Sequence, residues 1–167
     1  METTLASFFE LSQKFLNALN RLPKELLQKT QADHIGYRCG DQKEFEELRA
    51  LFENESAYLF QSIISGRRIA VIKLLHPLQS AIGEIRYLEL ADQKPDKSQV
   101  SGFDHIELYP RERTVEELVK DFSAAGFVFD KVERPHHTTY DHSLIEGFKV
   151  RLESEPLIEK IKTKEMA

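Results

Sequence analysis

The sequence predicts an α+β fold: two paired βαβββ modules sharing one curved mixed sheet, a cup, with extra helices at the N-terminus and one at the C-terminus. Three observations predict it. The order strand, helix, strand, strand, strand occurs twice along the chain. Each occurrence opens with the same tripeptide, Asp33-His34-Ile35 and Asp104-His105-Ile106. A polar, aperiodic stretch over 92–99 separates the two. A period this long marks a duplicated supersecondary unit, not a solenoid, whose repeats are shorter.

Residues 1–30 read as helix. Leu5, Phe8, Phe9, Phe15, Leu16 and Leu19 recur at three- and four-residue steps and form one apolar stripe. Leu22-Pro23-Lys24 stops that helix, and Pro23 suits the opening of a second short one. The first module spans 32–91. Residues 32–39 alternate like a half-buried strand, and Asp41-Gln-Lys-Glu44 starts a helix as a capping-box variant. Phe45, Leu48 and Phe52 follow at helical spacing. Strands are then expected near 57–64, 67–75 and 83–91, with a hairpin turn at Ser65-Gly66 and a loop carrying His76-Pro77.

The second module spans 102–155. Residues 103–109 alternate as a strand, Thr114-Val-Glu-Glu117 caps a helix through Phe122, and Gly126 stands where a C-terminal cap belongs. Strands follow near 127–133, 139–146 and 148–153, the last two broken at Glu146-Gly147. A last helix is expected over 155–163. The whole of 1–167 reads as one domain.

Composition narrows the function. A formal net charge of −5 argues against a phosphate-backbone binder, and the clusters Arg67-Arg68 and Arg111-Glu-Arg113 are too small to make a nucleic-acid patch. No apolar run approaches the roughly 20 residues that cross a bilayer, and the N-terminus lacks the marks of a secretory signal. Cys39 is the sole cysteine, so no intrachain disulfide forms and a reducing cytoplasm is the expected setting. Cys39 falls on the packed parity of its strand and reads as a small hydrophobe. No Gly-rich phosphate loop, nucleophile elbow or CxxC motif occurs. Oligomeric state is open.

Strand alternation locates the chemistry, because residues two apart share a face. Ile35, Tyr37 and Cys39 share one side of the first strand, with His34, Gly36 and Arg38 opposite. Ile106 and Leu108 oppose His105, Glu107 and Tyr109. Leu88 and Leu90 oppose Tyr87 and Glu89, and Phe148, Val150 and Leu152 oppose Lys149, Arg151 and Glu153. The polar faces thus hold two histidines and two glutamates in matching order, His34…Glu89 and His105…Glu153. Imidazole and carboxylate together suit a divalent ion such as zinc, iron, manganese, nickel or cobalt. Such a set leaves positions open for a substrate, and Glu89 or Glu153 can act as a general base. The bland alternative is a pair of hydrogen-bonded sheet histidines, with Glu89 and Glu153 in solvent or salt-bridged to Arg86 or Arg151.

Arg38, Arg67, Lys73 and Arg151 are candidates for an electropositive rim that takes a carboxylate- or phosphate-bearing ligand. A salt-bridge network with Glu107 and Glu84 accounts for them equally well. His136, His137 and His142 form a further cluster around Pro135, of which His137 and His142 are candidates to line the cup.

With the paired modules and the His/Glu/His/Glu order in view, the chain resembles the vicinal oxygen chelate superfamily, which includes glyoxalase I, extradiol dioxygenases and fosfomycin-resistance proteins. Within it, Ala32-Asp-His-Ile-Gly-Tyr-Arg-Cys39, Ser65-Gly-Arg-Arg-Ile-Ala-Val-Ile-Lys73 and Phe103-Asp-His-Ile-Glu-Leu108 are similar to segments of the YecM-like family of presumed metal-binding proteins. The resemblance covers about 30–160 and implies metal ligands at His34, Glu89, His105 and Glu153. It implies a metal-dependent isomerase, lyase or dioxygenase acting on a small oxygen-rich molecule, since the superfamily shares a site and not a reaction. Two rival readings are a non-catalytic module that binds a small anion in the same cup, and an interaction domain whose N-terminal helices recruit a partner.

Overall fold

A computed structural model describes residues 4–64, 66–135 and 137–159, the side chains of Tyr58 and Leu59 excepted. Helix α1 (Leu5–Asn17) is capped by Thr4, whose hydroxyl accepts from the Ser7 amide. A 3₁₀ turn (Ala18–Arg21) and the short α2 (Lys24–Leu27), entered through Pro23, complete the N-terminal helices. They are part of the core. Phe8, Leu16, Leu19, Leu22, Leu26 and Leu27 are buried in one cluster with Ile35, Leu88, Ile106 and Val150. Phe8 is an aromatic hub, with ring centroids 5.1 Å from Tyr37, 5.4 Å from Phe52 and 5.0 Å from Phe103.

The first module is β2 (His34–Arg38), α3 (Gln42–Glu53), β3 (Ser56–Ile64), β4 (Arg67–Ser80) and β5 (Gly83–Ala91), preceded by the two-residue β1 (Thr30–Gln31). The second is β6 (Gly102–Pro110), α4 (Val115–Ala124), β7 (Asp130–Glu133), β8 (Thr138–Ile145) and β9 (Phe148–Leu152). Asp41 and Thr114 cap their helices as the sequence predicts, each accepting from the amide three residues on. Residues 157–159 are helical, and the rest of the helix predicted over 155–163 lies outside the described residues.

The strands form one curved mixed sheet in the order β3-β4-β5-β2-β6-β9-β8-β7, with β1 pairing β6 beside that path. Each half carries the same order outward from the centre. The first strand pairs in parallel with the last of its own module, β2 with β5 and β6 with β9. The two first strands, β2 and β6, pair antiparallel and join the halves. The helices pack on the face that carries Ile35, Tyr37, Leu88, Leu90, Ile106, Leu108, Val150 and Leu152, leaving the opposite face for the site.

Two expectations are corrected. His76-Pro77 is not a loop: β4 continues through it to Ser80, and the β4–β5 register shifts between Lys73 and Leu78. That bulge absorbs the amide proline cannot offer to a ladder. The strand expected from 127 begins at Asp130. Among the described residues no helix is long and apolar enough to cross a membrane.

Candidate metal centre

Because β2 and β6 are neighbours, the two Asp-His-Ile tripeptides meet at the middle of the sheet. Ile35 stands opposite Ile106, and Gly36 opposite His105. Both imidazoles are buried, with centroids 6.0 Å apart and planes at 82°. His105 lies over the backbone of β2, and only glycine permits this. A Cβ at position 36 would stand 2.5 Å from His105 Cε1 and 2.8 Å from its Nδ1.

The aspartate of each tripeptide orients the histidine after it. Asp33 Oδ1 is 2.5 Å from His34 Nδ1, and Asp104 Oδ2 is 3.0 Å from His105 Nδ1. A carboxylate on Nδ1 keeps the proton there and turns the Nε2 lone pair to the site, the usual support of a metal-binding histidine. Each aspartate is in turn braced from the other half, four residues past that half's histidine. Arg38 Nε lies 3.0 Å from Asp104 Oδ2, and Tyr109 Oη lies 3.0 Å from Asp33 Oδ1.

Among the described residues, neither of the two buried Nε2 atoms has a hydrogen-bond partner. They face carboxylates: Glu89 Oε2 and Glu107 Oε2 are 3.7 and 3.9 Å from His34 Nε2, and Glu107 Oε1 is 3.6 Å from His105 Nε2. These gaps are too long for hydrogen bonds. They are close to the ~3.4 Å that separates two ligands sharing an ion at zinc-like bond lengths of about 2.1 Å. One ligand atom from each of His34, His105 and Glu107 lies within 4.8 Å of the others. The residues present therefore fit a divalent ion.

The electrostatics agree. Burial alone lowers the basicity of both imidazoles, but the carboxylates outweigh it. Glu107, Asp33 and Glu89 raise His34 to about 9, and Asp104, Glu107 and Glu89 raise His105. Burial pushes Glu107 up, yet the two imidazoles and the Tyr109 hydroxyl, which donates to it at 2.8 Å, hold it well below the usual carboxylate range. The pocket attracts positive charge.

Of the residues singled out from sequence, His34, His105 and Glu89 come together here. Glu153 does not belong to the His34–His105–Glu107 group; it is buried and lies 3.3 Å from His137 Nε2. Glu107 is the carboxylate the sequence pairing passed over. Arg38, Arg67 and Arg151 line a cavity of about 490 Å³ whose wall includes His105 and Glu89. Arg134, which no sequence pattern marked, lines it too. Lys73 is exposed and outside that lining. His142 is engaged elsewhere, with Nδ1 2.9 Å from the Val128 carbonyl and its ring 5.1 Å from Phe129. His136 lies outside the described residues.

A family model described as YecM protein matches residues 1–164. The chain belongs to the YecM family. Protein YecM of Escherichia coli (strain K12) is 32% identical over 98 residues, 57% of this chain and 52% of that protein. The chain therefore matches about half the length of this curated relative. A solved structural-genomics protein, EC4020, superposes with a TM-score of 0.68 at 22% identity, covering 93% of this chain and 89% of that one. That likeness shows the fold. A putative dioxygenase from Bacillus subtilis reaches a TM-score of only 0.47 at 12% identity over 76% of this chain and 41% of its own, too distant to bear on function. The two βαβββ halves that the vicinal oxygen chelate resemblance implies are present in this YecM-family chain.

Proposed function

We propose that this YecM-family protein is a divalent-metal-dependent enzyme of the vicinal oxygen chelate type, acting on a small oxygen-rich molecule as an isomerase, lyase or dioxygenase. The observation that carries the reading is the pair of buried Nε2 atoms, without a hydrogen-bond partner among the described residues, both facing Glu107 and each backed by an aspartate on its Nδ1. His34, His105 and Glu107 would hold the ion, with Glu89 beside them. In this reading Glu107 takes the ligand role that sequence alone gives to Glu153, which is engaged with His137. When bound, the ion supplies Lewis-acid polarisation of substrate oxygens.

The chain's own residues do the rest. Asp33 and Asp104 hold the imidazoles in the ligating tautomer. Glu89 is the more exposed carboxylate, with a side chain 20% accessible against 13% for Glu107, and it lines the cavity. It is therefore the one placed to take a proton from a bound substrate. Tyr109 donates to Glu107 and keeps it from that role. The buried Cys39, its thiol pushed up by burial, suits the reducing cytoplasm in which we place the protein.

Elemental analysis of protein purified without a polyhistidine tag or chelator tests the reading. About one first-row divalent ion per chain is expected, and none in His105→Ala. Failure of the wild-type chain to retain any such ion when it is supplied in excess refutes it.

A further inference from the structure

The cavity beside the metal centre carries four arginines, and they are not alike. Arg38 and Arg151 are neutralised where they stand. Arg38 Nε is 3.0 Å from Asp104, and Arg151 reaches both oxygens of Asp141 at 2.9 and 3.3 Å. Arg67 and Arg134 are held instead by neutral groups. Arg67 donates to the Gln99 side-chain oxygen and to the Asp92 carbonyl, and no carboxylate among the described residues lies within 4.0 Å of it. Arg134 Nε donates to Thr139 Oγ1 at 2.9 Å. It also makes a long ion pair of 3.8 Å with Asp141, which Arg151 engages more closely at 2.9 Å. Gln99 and Thr139 are themselves buried, so each guanidinium is fixed in direction by a neutral partner.

The two arginines also sit at corresponding hairpins, the one between the second and third strands of each module. Arg67 opens β4 and Arg134 precedes β8, the hairpins that lead into the third strand of each module. One therefore comes from each side of the sheet, and both line the cavity whose wall includes His105 and Glu89. Burial, then the neighbouring charge of Arg38, lowers Arg67; burial, then Arg151, lowers Arg134. A bound anion would relieve both. A cavity of about 490 Å³ is the size of a small-metabolite site.

We infer that this cavity takes a small ligand bearing two oxyanion groups, carboxylate or phosphate, one held by Arg67 and the other by Arg134, with the oxygens between them facing His105 and Glu89. Arginine suits both ends, because its planar fork meets either oxyanion with two hydrogen bonds. The inference deepens the metal-enzyme reading and rests on it for the placement of the central oxygens. The arginine arrangement itself does not depend on the ion.

The test is calorimetric titration of the full chain, its metal content measured beforehand, with malate, phosphoglycolate, lactate and glycolate. Malate and phosphoglycolate are expected to bind at least about tenfold more tightly than the corresponding monoanions, lactate and glycolate. Arg67→Met and Arg134→Met should each erase that preference, with melting curves reporting that the variants fold. Arg67→Lys, which keeps the charge, should retain part of it and guards against a folding defect in the methionine variant. Tighter malate points to a dicarboxylate, tighter phosphoglycolate to a phosphorylated acid. The inference is overturned if the dianions bind no more tightly than the monoanions, or if both methionine variants keep the preference. Metal-loaded protein indifferent to dianions sinks this inference and leaves the metal reading standing. Arginine-dependent dianion binding by protein that holds no metal does the reverse.

Discussion

Replacing Gly36 by alanine is the sharpest probe of how the centre is built. The added methyl carbon would stand 2.5 Å from His105 Cε1, and ordinary contact begins near 3.4 Å, so the ring must retreat by about 0.9 Å. It has little room to do so, because His105 is only 5% exposed and tied through Nδ1 to Asp104. Forcing a methyl group into such a site typically costs about 1–3 kcal/mol. The better backbone entropy of alanine returns about 0.5–1 kcal/mol, leaving a net loss of up to about 2.5 kcal/mol. The effect on metal is larger in kind, since ligand distances tolerate only about 0.2 Å. Affinity should fall by about 100-fold. Urea denaturation measures the first quantity and competition with a chromophoric chelator the second. Repeating the denaturation in His105→Ala supplies the control, for without the ring the same Gly36→Ala change should cost almost nothing. An equal cost in both backgrounds, or unaltered metal affinity in Gly36→Ala, would show that the close approach of ring to backbone does not shape the site.

Three further outcomes are expected. Asp33→Asn should lower metal affinity about 10–100-fold by loosening the His34 tautomer, and should also destabilise the fold, because Asp33 Oδ2 accepts from the Ile158 amide at 3.1 Å; chelator competition and melting curves read the two. Metal-free protein should become less stable as pH rises: His34 is raised from 6.5 to about 9, so its contribution is full below pH 6.5 and lost on passing about 9, a decline of about 3 kcal/mol. Urea midpoints should show it, and saturating metal, which requires the neutral imidazole, should abolish it. Deleting residues 1–30 removes six buried apolar side chains, Phe8, Leu16, Leu19, Leu22, Leu26 and Leu27; at about 1.5–3 kcal/mol each, or about 9–18 kcal/mol together, the loss is as large as a typical total stability of 5–15 kcal/mol, and circular dichroism should find the fragment unfolded.

What the sequence made legible follows from periodicity. Strand alternation puts His34, Glu89 and His105 on one face, and the repeated tripeptide shows that the two histidines begin equivalent strands. Those relations are local. The length of β4 was hidden because Pro77 reads as a breaker, and a bulge two strands from the centre leaves no local mark. Arg134 escaped notice because it stands between strands, beside Pro135, where no period constrains it. Gly36 did carry a signal, since glycine inside a strand marks a close approach of other groups. What approaches it is a residue of the other half, and only the β2–β6 pairing identifies that residue as His105.

The carboxylate between the two histidines shows where duplication stops being a guide. Matching order pairs His34 with Glu89 and His105 with Glu153, as if the halves contributed equally. Their scaffolding is indeed equal: each aspartate orients its own histidine and is braced from four residues past the other one. The asymmetry sits two residues past each histidine. In the first half that position is Gly36, which gives up its side chain so that His105 can lie across the strand. In the second it is Glu107, which supplies the carboxylate both imidazoles face. One half yields space and the other fills it. A symmetric pair of glycines would leave the two histidines without Glu107, and a symmetric pair of glutamates would drive His105 off the sheet. Two copies of one unit can therefore turn both histidines to one carboxylate only because they have ceased to be identical at this position.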